Sequence, residues 1–426
     1  MKLRYFLITI PLMLLLANNG WADNKYPWVV NLLNHPNVEV KKGPIEEQFW
    51  RIQELEALRG FDIQFSSSGN LPLLGEFKDD FNRDSKGEMY LDLIMSGNYT
   101  LYDSGFAQNN IEAETLLLQI KRLELVDAVE QESNALLNLV ISNQDLMRRL
   151  SHLKAAEPEL ESLKRQLTIR YEAGLGTLTD IRKIQIQLLE IASDISLLEN
   201  SLNQIRLTAA EQYALSSGDL EVIWHDTEYL FAEVYEDSMA QRSENLSQLK
   251  IQSLMFQQAS VKAQTMPSLV GTLETKLYDV TRGLSNYKLS GQINLKMPLY
   301  DSGYSDARLA RLNQASLTEV EANHQLQRQK ENQLSQNQRQ QEDIKTQKLV
   351  AIDKLENLSQ QLNSLNQAIG NTSSNVNGVA ALVEEIARTQ AEMTSLNAEA
   401  KRNKLERLLI MEQLLDRLAI NVEEYL

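Results

Sequence analysis

The chain has 426 residues, with 58 acidic against 42 basic side chains and a formal net charge of −16. A chain this acidic excludes nucleic acid as a partner, because binding it needs clustered Lys and Arg. The complete lack of cysteine excludes disulfides, thiol catalysis and an N-terminal lipoprotein anchor, while only eight prolines and 17 glycines point to long, uninterrupted helices.

The first element, 1–22, reads as an export signal. Lys2 and Arg4 form a basic start, Tyr5 to Ala17 an apolar run, and Gly20-Trp21-Ala22 a small-residue cleavage site. The run is too short for a comfortable helical span, which argues against an uncleaved anchor. Cleavage after Ala22 starts the mature chain at Asp23, and loss of two cations takes the net charge from −16 to −18. Charges interrupt every later apolar stretch, so residence in a membrane would require strands closed into a barrel.

The rest of the chain reads as two copies of one unit, 23–218 and 219–426. Leu101-Tyr102-Asp103-Ser104-Gly105 recurs letter for letter as Leu299-Tyr300-Asp301-Ser302-Gly303, an offset of 198 residues. Each unit reads as helix, strand, turn, strand, long helix, turn, long helix, so the expected fold is mixed and mainly α. A period near 200 residues is that of a duplicated domain rather than a solenoid. In the first unit the strands are expected at about 71–80 and 88–99. Leu71-Pro72 ahead of the first is matched by Met266-Pro267 in the second unit.

From Ser104 to Glu172 runs a helix of about 100 Å at 1.5 Å per residue, with Ile120, Leu123, Val126 and Val129 near the three- and four-residue spacing of coiled-coil packing. It begins the long hairpin 104–215. Pro158 lies inside it, where a missing N–H predicts a bend or a broken backbone bond. The turn that follows holds Arg170, Tyr171, Gly174, Leu175, Gly176, Thr177, Thr179 and Asp180. Gly174 or Gly176 suits a left-handed helix end, and Thr177 or Thr179 suits the next N-cap.

In the second unit the strands are expected at about 267–280 and 287–298. Alternation is nearly complete from Tyr287 to Met297: Leu289, Ile293 and Leu295 fall on one side, and Lys288, Gln292, Asn294 and Lys296 on the other. Eleven residues of this period match a tilted membrane strand with a lipid face and a wet, lumen face. An ordinary soluble sheet with one polar face is the competing reading. The second long hairpin, 303–426, carries a Gln-rich run from Gln325 to Gln347, a thin seam suited to a helix wet on several sides. Its tip reads as a turn over Gly370, Asn371, Thr372, Ser374, Asn375 and Gly378, with neither Arg-aromatic nor a closing Asp.

The first tip, Arg170-Tyr171-x-x-Gly174 followed by Asp180, resembles the hairpin signature of the TolC-type outer membrane factors. So do the signal peptide, Asn34-His35-Pro36 near the start, the Tyr-Asp-Ser-Gly strand exits and the duplication. That resemblance implies a homotrimer whose four strands per protomer close one 12-stranded barrel in outer-membrane lipid, with the helices forming a periplasmic tunnel. It implies a periplasmic adaptor and an inner-membrane transporter as partners, with adaptor docking and gating at both helical tips. Physics agrees on the oligomer, because four strands cannot close a barrel and bacterial barrels start at eight.

No catalytic constellation is present: His35, His152, His225 and His324 are scattered singly, and Gly174-Leu175-Gly176 lacks a third glycine and a preceding strand. No enzyme, cofactor or metal is therefore expected. The reading is an exit duct for an efflux or type I secretion system. A periplasmic adaptor or an envelope-spanning coiled-coil protein is the alternative, and two hairpins, each preceded by a strand pair, favour the duct.

Overall fold

The computed structural model describes residues 26–70, 90–232, 241–278, 280, 287–368 and 373–422. The signal segment therefore lies outside the described residues. In chain order the elements are α1 (Trp28–Leu33), α2 (Pro36–Leu58), β1 (Asp62–Asn70), β2 (Tyr90–Tyr102), α3 (Phe106–Glu172), α4 (Leu178–Tyr213), α5 (Ser217–Thr227) and α6 (Tyr229–Ala232). They continue as α7 (Arg242–Gln264), β3 (Ser268–Leu277), β4 (Tyr287–Lys296), α8 (Tyr304–Ala368), α9 (Ser373–Ile410) and α10 (Leu414–Leu418).

The duplicated halves interleave in space. Each gives a strand pair to one compact unit, built from Lys41–Glu124 and Gln241–Gln327. Each gives a helical hairpin to the other, built from the described residues up to Val40, from Leu125 to the end of α6, and from Arg328 on.

In the sheet unit the four strands are antiparallel in the order β1-β2-β3-β4. The strand expected over 71–80 lies outside the described residues, and the hairpin partner of β2 is instead Asp62–Asn70, with Asp62 opposite Asn98. The matched prolines do not mark equivalent places either. Pro267 directly precedes β3, whereas Phe61 directly precedes β1. Phe61 covers Gly97 on β2, where a Cβ would come within 2.4 Å of its ring, and it stacks on Tyr99 at 6.2 Å. The helices of this unit meet through short polar bonds. Gln48 Nε2 donates to Glu114 Oε2 at 2.6 Å, and Ser260 Oγ to Asn110 Oδ1 at 2.7 Å.

In the helical unit the buried residues of α3 recur at seven-residue spacing as Leu146, Leu153, Leu160 and Leu167. Those of α4 do the same as Ile184, Ile191 and Leu198, and α9 closes the core with Val376, Ala380, Val383 and Ala387. A seven-residue repeat keeps one seam facing its partners, as knobs-into-holes packing requires. Burying a leucine such as Leu160, which is fully enclosed, contributes about 1.5–3 kcal/mol.

The buried seam of α8 is thinner still: Asn337, Ile344, Ala351 and Leu358. The amide nitrogen of its polar member is matched, since Asn337 Nδ2 donates to the Asn403 carbonyl at 2.8 Å and Asn403 Nδ2 donates to the Asn337 carbonyl at 3.0 Å, while Asn337 Oδ1 is buried without a partner among the described residues. A paired buried amide of this kind fixes register, because any slip leaves two polar groups unsatisfied.

α3 continues through Pro158 without a break. Proline has no N–H for the Lys154 carbonyl four residues back, and both residues are exposed, so water can take the orphaned acceptor. Near the start of the chain His35 stacks on Tyr213 at 4.9 Å, and Tyr213 Oη donates to Glu132 at 3.1 Å. Asn37 Nδ2 donates to the same carboxylate at 2.7 Å. Burial, with the Glu132 charge added to it, pushes the Tyr213 phenol well above its ordinary range.

Candidate functional site

Strand register decides what each face of the sheet carries, because residues directly opposite one another share a face. Leu289 faces Thr275, Ile293 faces Gly271 and Leu295 faces Leu269. Carried across β3, these rows continue to Met95 and Tyr99 on β2, and the row of Met95 reaches Phe65 on β1. One face is thus Ile63, Phe65, Leu93, Met95, Tyr99, Leu269, Leu273, Leu277, Leu289, Ile293 and Leu295, with small residues between them.

The opposite face carries Lys288, Gln292, Asn294 and Lys296 beside Lys276, Thr272 and Ser268 on β3, and Gln64 and Ser66 on β1. Ile94 and Val270 are its apolar exceptions. It is internally bonded: Thr272 Oγ1 donates to Asn98 Oδ1 at 2.9 Å, and Lys276 lies 3.7 Å from Asp92. The apolar face is not a core. Ile293 keeps 72% of its surface open, and Phe65, Leu289 and Leu295 are also exposed. A soluble sheet with one polar face would bury the other, so an outward apolar face of this extent needs a nonaqueous neighbour.

The repeated pentapeptide is the joint between strand and helix. At both copies two successive residues take positive φ, Ser104 at 54° and Gly105 at 85°, Ser302 at 56° and Gly303 at 78°. The second of each pair is glycine, which takes this conformation without a Cβ clash. The aspartate then caps the new helix. Asp103 accepts from the Gly105 and Ala107 N–H groups at 3.0 and 2.8 Å, and Asp301 from those of Gly303 and Ser305 at 3.1 and 3.0 Å. Ser305 above all, through side chain and backbone, holds the exposed Asp301 carboxyl below the usual carboxylate range.

At the first helical tip, α3 ends with Leu175 N–H bonded to the Arg170 carbonyl at 2.8 Å and Gly174 N–H to the Tyr171 carbonyl at 2.9 Å. Gly174 sits at φ 77°, as this helix ending requires. Thr177, not Thr179, is the N-cap of α4. Its hydroxyl accepts from the Asp180 N–H at 3.3 Å while Asp180 Oδ2 binds back to Thr177. Thr179 lies in the first turn of the helix. Leu175, Leu178 and Tyr171 are exposed at the tip, and Gly176 is half-buried.

The other Asp180 oxygen, Oδ1, accepts from Asn377 Nδ2 of α9 at 2.7 Å. This bond ties the two hairpins together; the sequence left the cap open between Thr177 and Thr179 and gave no sign of Asn377 as the partner. The second tip also differs from its expected form. Gly370 and Thr372 lie outside the described residues, while Ser374, Asn375 and Gly378 belong to α9, not to a turn. Short polar residues read as loop, yet they are also favoured where a helix starts. Gly378 serves packing: a Cβ there would come within 3.3 Å of Leu365 on α8.

Below the tip, Arg388 on α9 reaches Glu190 and Asp194 on α4 at 3.5 and 3.3 Å and Glu384 at 3.1 Å. Further along, Lys401 lies 4.0 Å over the Trp224 ring, and burial lowers its pKa. Among the described residues no group of three or more potential metal ligands occurs, and no helix is long and apolar enough to cross a membrane.

No protein-family model and no curated protein matches the sequence. Solved structures do match. The outer membrane protein VceC of Vibrio cholerae aligns at TM-score 0.73 and 14% identity, over 90% of this chain and 95% of that one. The CmeC outer membrane channel of Campylobacter jejuni aligns at 0.73 and 9%, over 93% and 88%. The open-state MtrE outer membrane channel of Neisseria gonorrhoeae aligns at 0.72 and 10%, over 92% and 89%. Over about nine-tenths of its length, then, this chain has the fold of these outer membrane channel proteins.

Proposed function

We propose that the chain is one subunit of a homotrimeric channel-tunnel in the outer membrane, the exit duct of a tripartite export system. The observation that carries this is the four-stranded antiparallel sheet, apolar on one face, polar on the other and, among the described residues, unpaired at both edges. Open edges are a liability unless another strand covers them. Three copies supply twelve strands, enough to close a barrel with Leu289, Ile293 and Leu295 toward lipid and Lys288, Gln292, Asn294 and Lys296 toward the lumen. The fold shared with outer membrane channels supports the same reading, and a periplasmic adaptor would have no use for an exposed apolar sheet face.

The duct would work with a periplasmic adaptor and an inner-membrane transporter. The tip residues Arg170, Tyr171, Gly174, Leu175, Gly176, Thr179 and Asp180 form its main docking and gating surface, with Gly370, Thr372, Ser374, Asn375 and Gly378 contributing from the second hairpin. Opening requires the two hairpins to part, and within one subunit the Asp180–Asn377 bond at the tip opposes it together with the Arg388 contacts to Glu190 and Asp194. The test is fractionation of cells expressing the chain. Trimers that resist SDS until heated, recovered with the outer membrane and conducting in planar bilayers, are expected. A monomer in the soluble periplasmic fraction would overturn the proposal.

A further inference from the structure

The internal repeat specifies how one copy joins the next. Between the halves, α3 and α8 begin at Phe106 and Tyr304, 198 residues apart, as are the two pentapeptides. The elements ahead of the hairpin turns follow a different offset. α2 and α7 end at Leu58 and Gln264, and β1 and β3 begin at Asp62 and Ser268, both 206 residues apart. Strand register confirms both offsets together, since Asp62 lies opposite Asn98 and Ser268 opposite Lys296. Thus β1 corresponds to β3 and β2 to β4, residue by residue.

The junction between the halves is β2 against β3. Met95 pairs with Thr275, Gly97 with Leu273, Asn98 with Thr272 and, past a bulge, Tyr102 with Leu269. Ser104 Oγ then donates to the Pro267 carbonyl at 2.9 Å. Among the described residues no strand of the same chain lies at the corresponding junction of β4, and exposure records the difference. Leu101 and Tyr102 are 53% and 55% exposed, whereas the identical Leu299 and Tyr300 are 89% and 86% exposed.

Resting on the trimeric reading, we infer that β4 of one copy pairs with β1 of the next in the register of β2 with β3. Transferring the offsets places Ile293 opposite Gly69 of the neighbouring copy, Leu295 opposite Ser67, Lys296 opposite Ser66 and, past the bulge, Tyr300 opposite Ile63. Ser302 Oγ donates to the neighbouring Phe61 carbonyl as Ser104 does to Pro267. Face parity agrees: Gly69 and Ser67 share the apolar face of Ile63 and Phe65, as Ile293 and Leu295 share theirs. A shift by one residue would turn Lys296 onto the apolar face, so only shifts by two compete.

The chain has no cysteine, so introduced pairs report alone. Matched double variants are Leu295→Cys with Ser67→Cys, and Lys296→Cys with Ser66→Cys. Shifted controls are Leu295→Cys with Phe65→Cys, and Leu295→Cys with Gly69→Cys. Opposed residues lie within disulfide reach, and those displaced by two do not. In one chain β1 and β4 are separated by two strands, roughly 14 Å at their usual spacing, so any disulfide formed joins two copies. After oxidation in isolated outer membranes, boiled non-reducing gels should show about tenfold more covalent dimer and trimer from the matched pairs. Each single-cysteine variant is also treated with an amine-reactive cross-linker to count subunits independently. Trimers in which a shifted pair links and the matched pairs do not would overturn the register while leaving the duct intact. Monomers throughout would overturn both.

Discussion

Replacing Ile293 by arginine tests the orientation of the sheet most directly. The side chain projects from the apolar face, 72% exposed, with Gly271 opposite it and Tyr99 next in the row. The nearest β3 carboxylate, Glu274, lies on the other face and cannot pair with it. Ile293 is two residues from Gly291 near the middle of β4, about 7 Å along the strand. An arginine on the lipid face costs about 2–4 kcal/mol at the bilayer midplane and falls toward zero at the interfaces. This depth therefore gives about 2 kcal/mol per subunit, and about 6 per trimer, a drop in assembled fraction of about 10⁴.

Gln292→Arg makes the same chemical change one residue away, on the polar face opposite Thr272, and should cost less than about 1 kcal/mol. The assay is urea-dependent assembly into phospholipid vesicles, followed by the heat-dependent gel shift of the trimer. Normal assembly of Ile293→Arg with failure of Gln292→Arg would refute the assignment of faces.

The remaining predictions concern the helical unit. Gly174→Trp, which forces a side chain into a φ of 77°, and Leu175→Asp should abolish export while trimers still form. The same changes at Ser374 should do less, and equal loss from both tips in a transport assay would remove the asymmetry. Asn377→Ala removes the bond to Asp180 Oδ1 but leaves the Thr177 cap intact. It should raise bilayer conductance and sensitivity to a bulky antibiotic, with a stability cost of about 0.5–1.5 kcal/mol.

Asp145 carries a pKa raised by burial, against the pull of Arg149 and Arg402. A raised folded pKa contributes stability that is full below the unfolded value and is lost as pH rises through the folded one. Wild type should therefore lose stability relative to Asp145→Asn as pH rises from the ordinary carboxylate range toward neutrality. Melting curves of both proteins across that range check the sign, and parallel curves would contradict it.

Some of this was legible along the chain, and the reason is periodicity. Alternation from Tyr287 to Lys296 marked β4 and its two faces, and sevenfold spacing in the Leu146 to Leu167 run follows from coiled-coil packing. β1 was missed, although Ile63 and Phe65 alternate with Gln64 and Ser66, because Ser66-Ser67-Ser68-Gly69 has the composition of a loop. Prolines were a poor guide to correspondence, since Pro72 and Pro267 fall on opposite sides of equivalent strands.

By itself, then, the sequence determined what local physics controls: which segments are helices, where the strand-to-helix joints cap, and which β4 residues share a side. Only tertiary structure decided the pairings that join distant segments. These are β1 as the partner of β2, the offset of 206 ahead of the hairpin turns, and the bond from Asn377 to Asp180, 197 positions apart. The physical reason is that propensity and capping act over a few residues. Register and cross-hairpin bonds depend on which surfaces meet, and loops of different length, here eight residues longer in the first hairpin, move those surfaces without altering either repeat's local pattern.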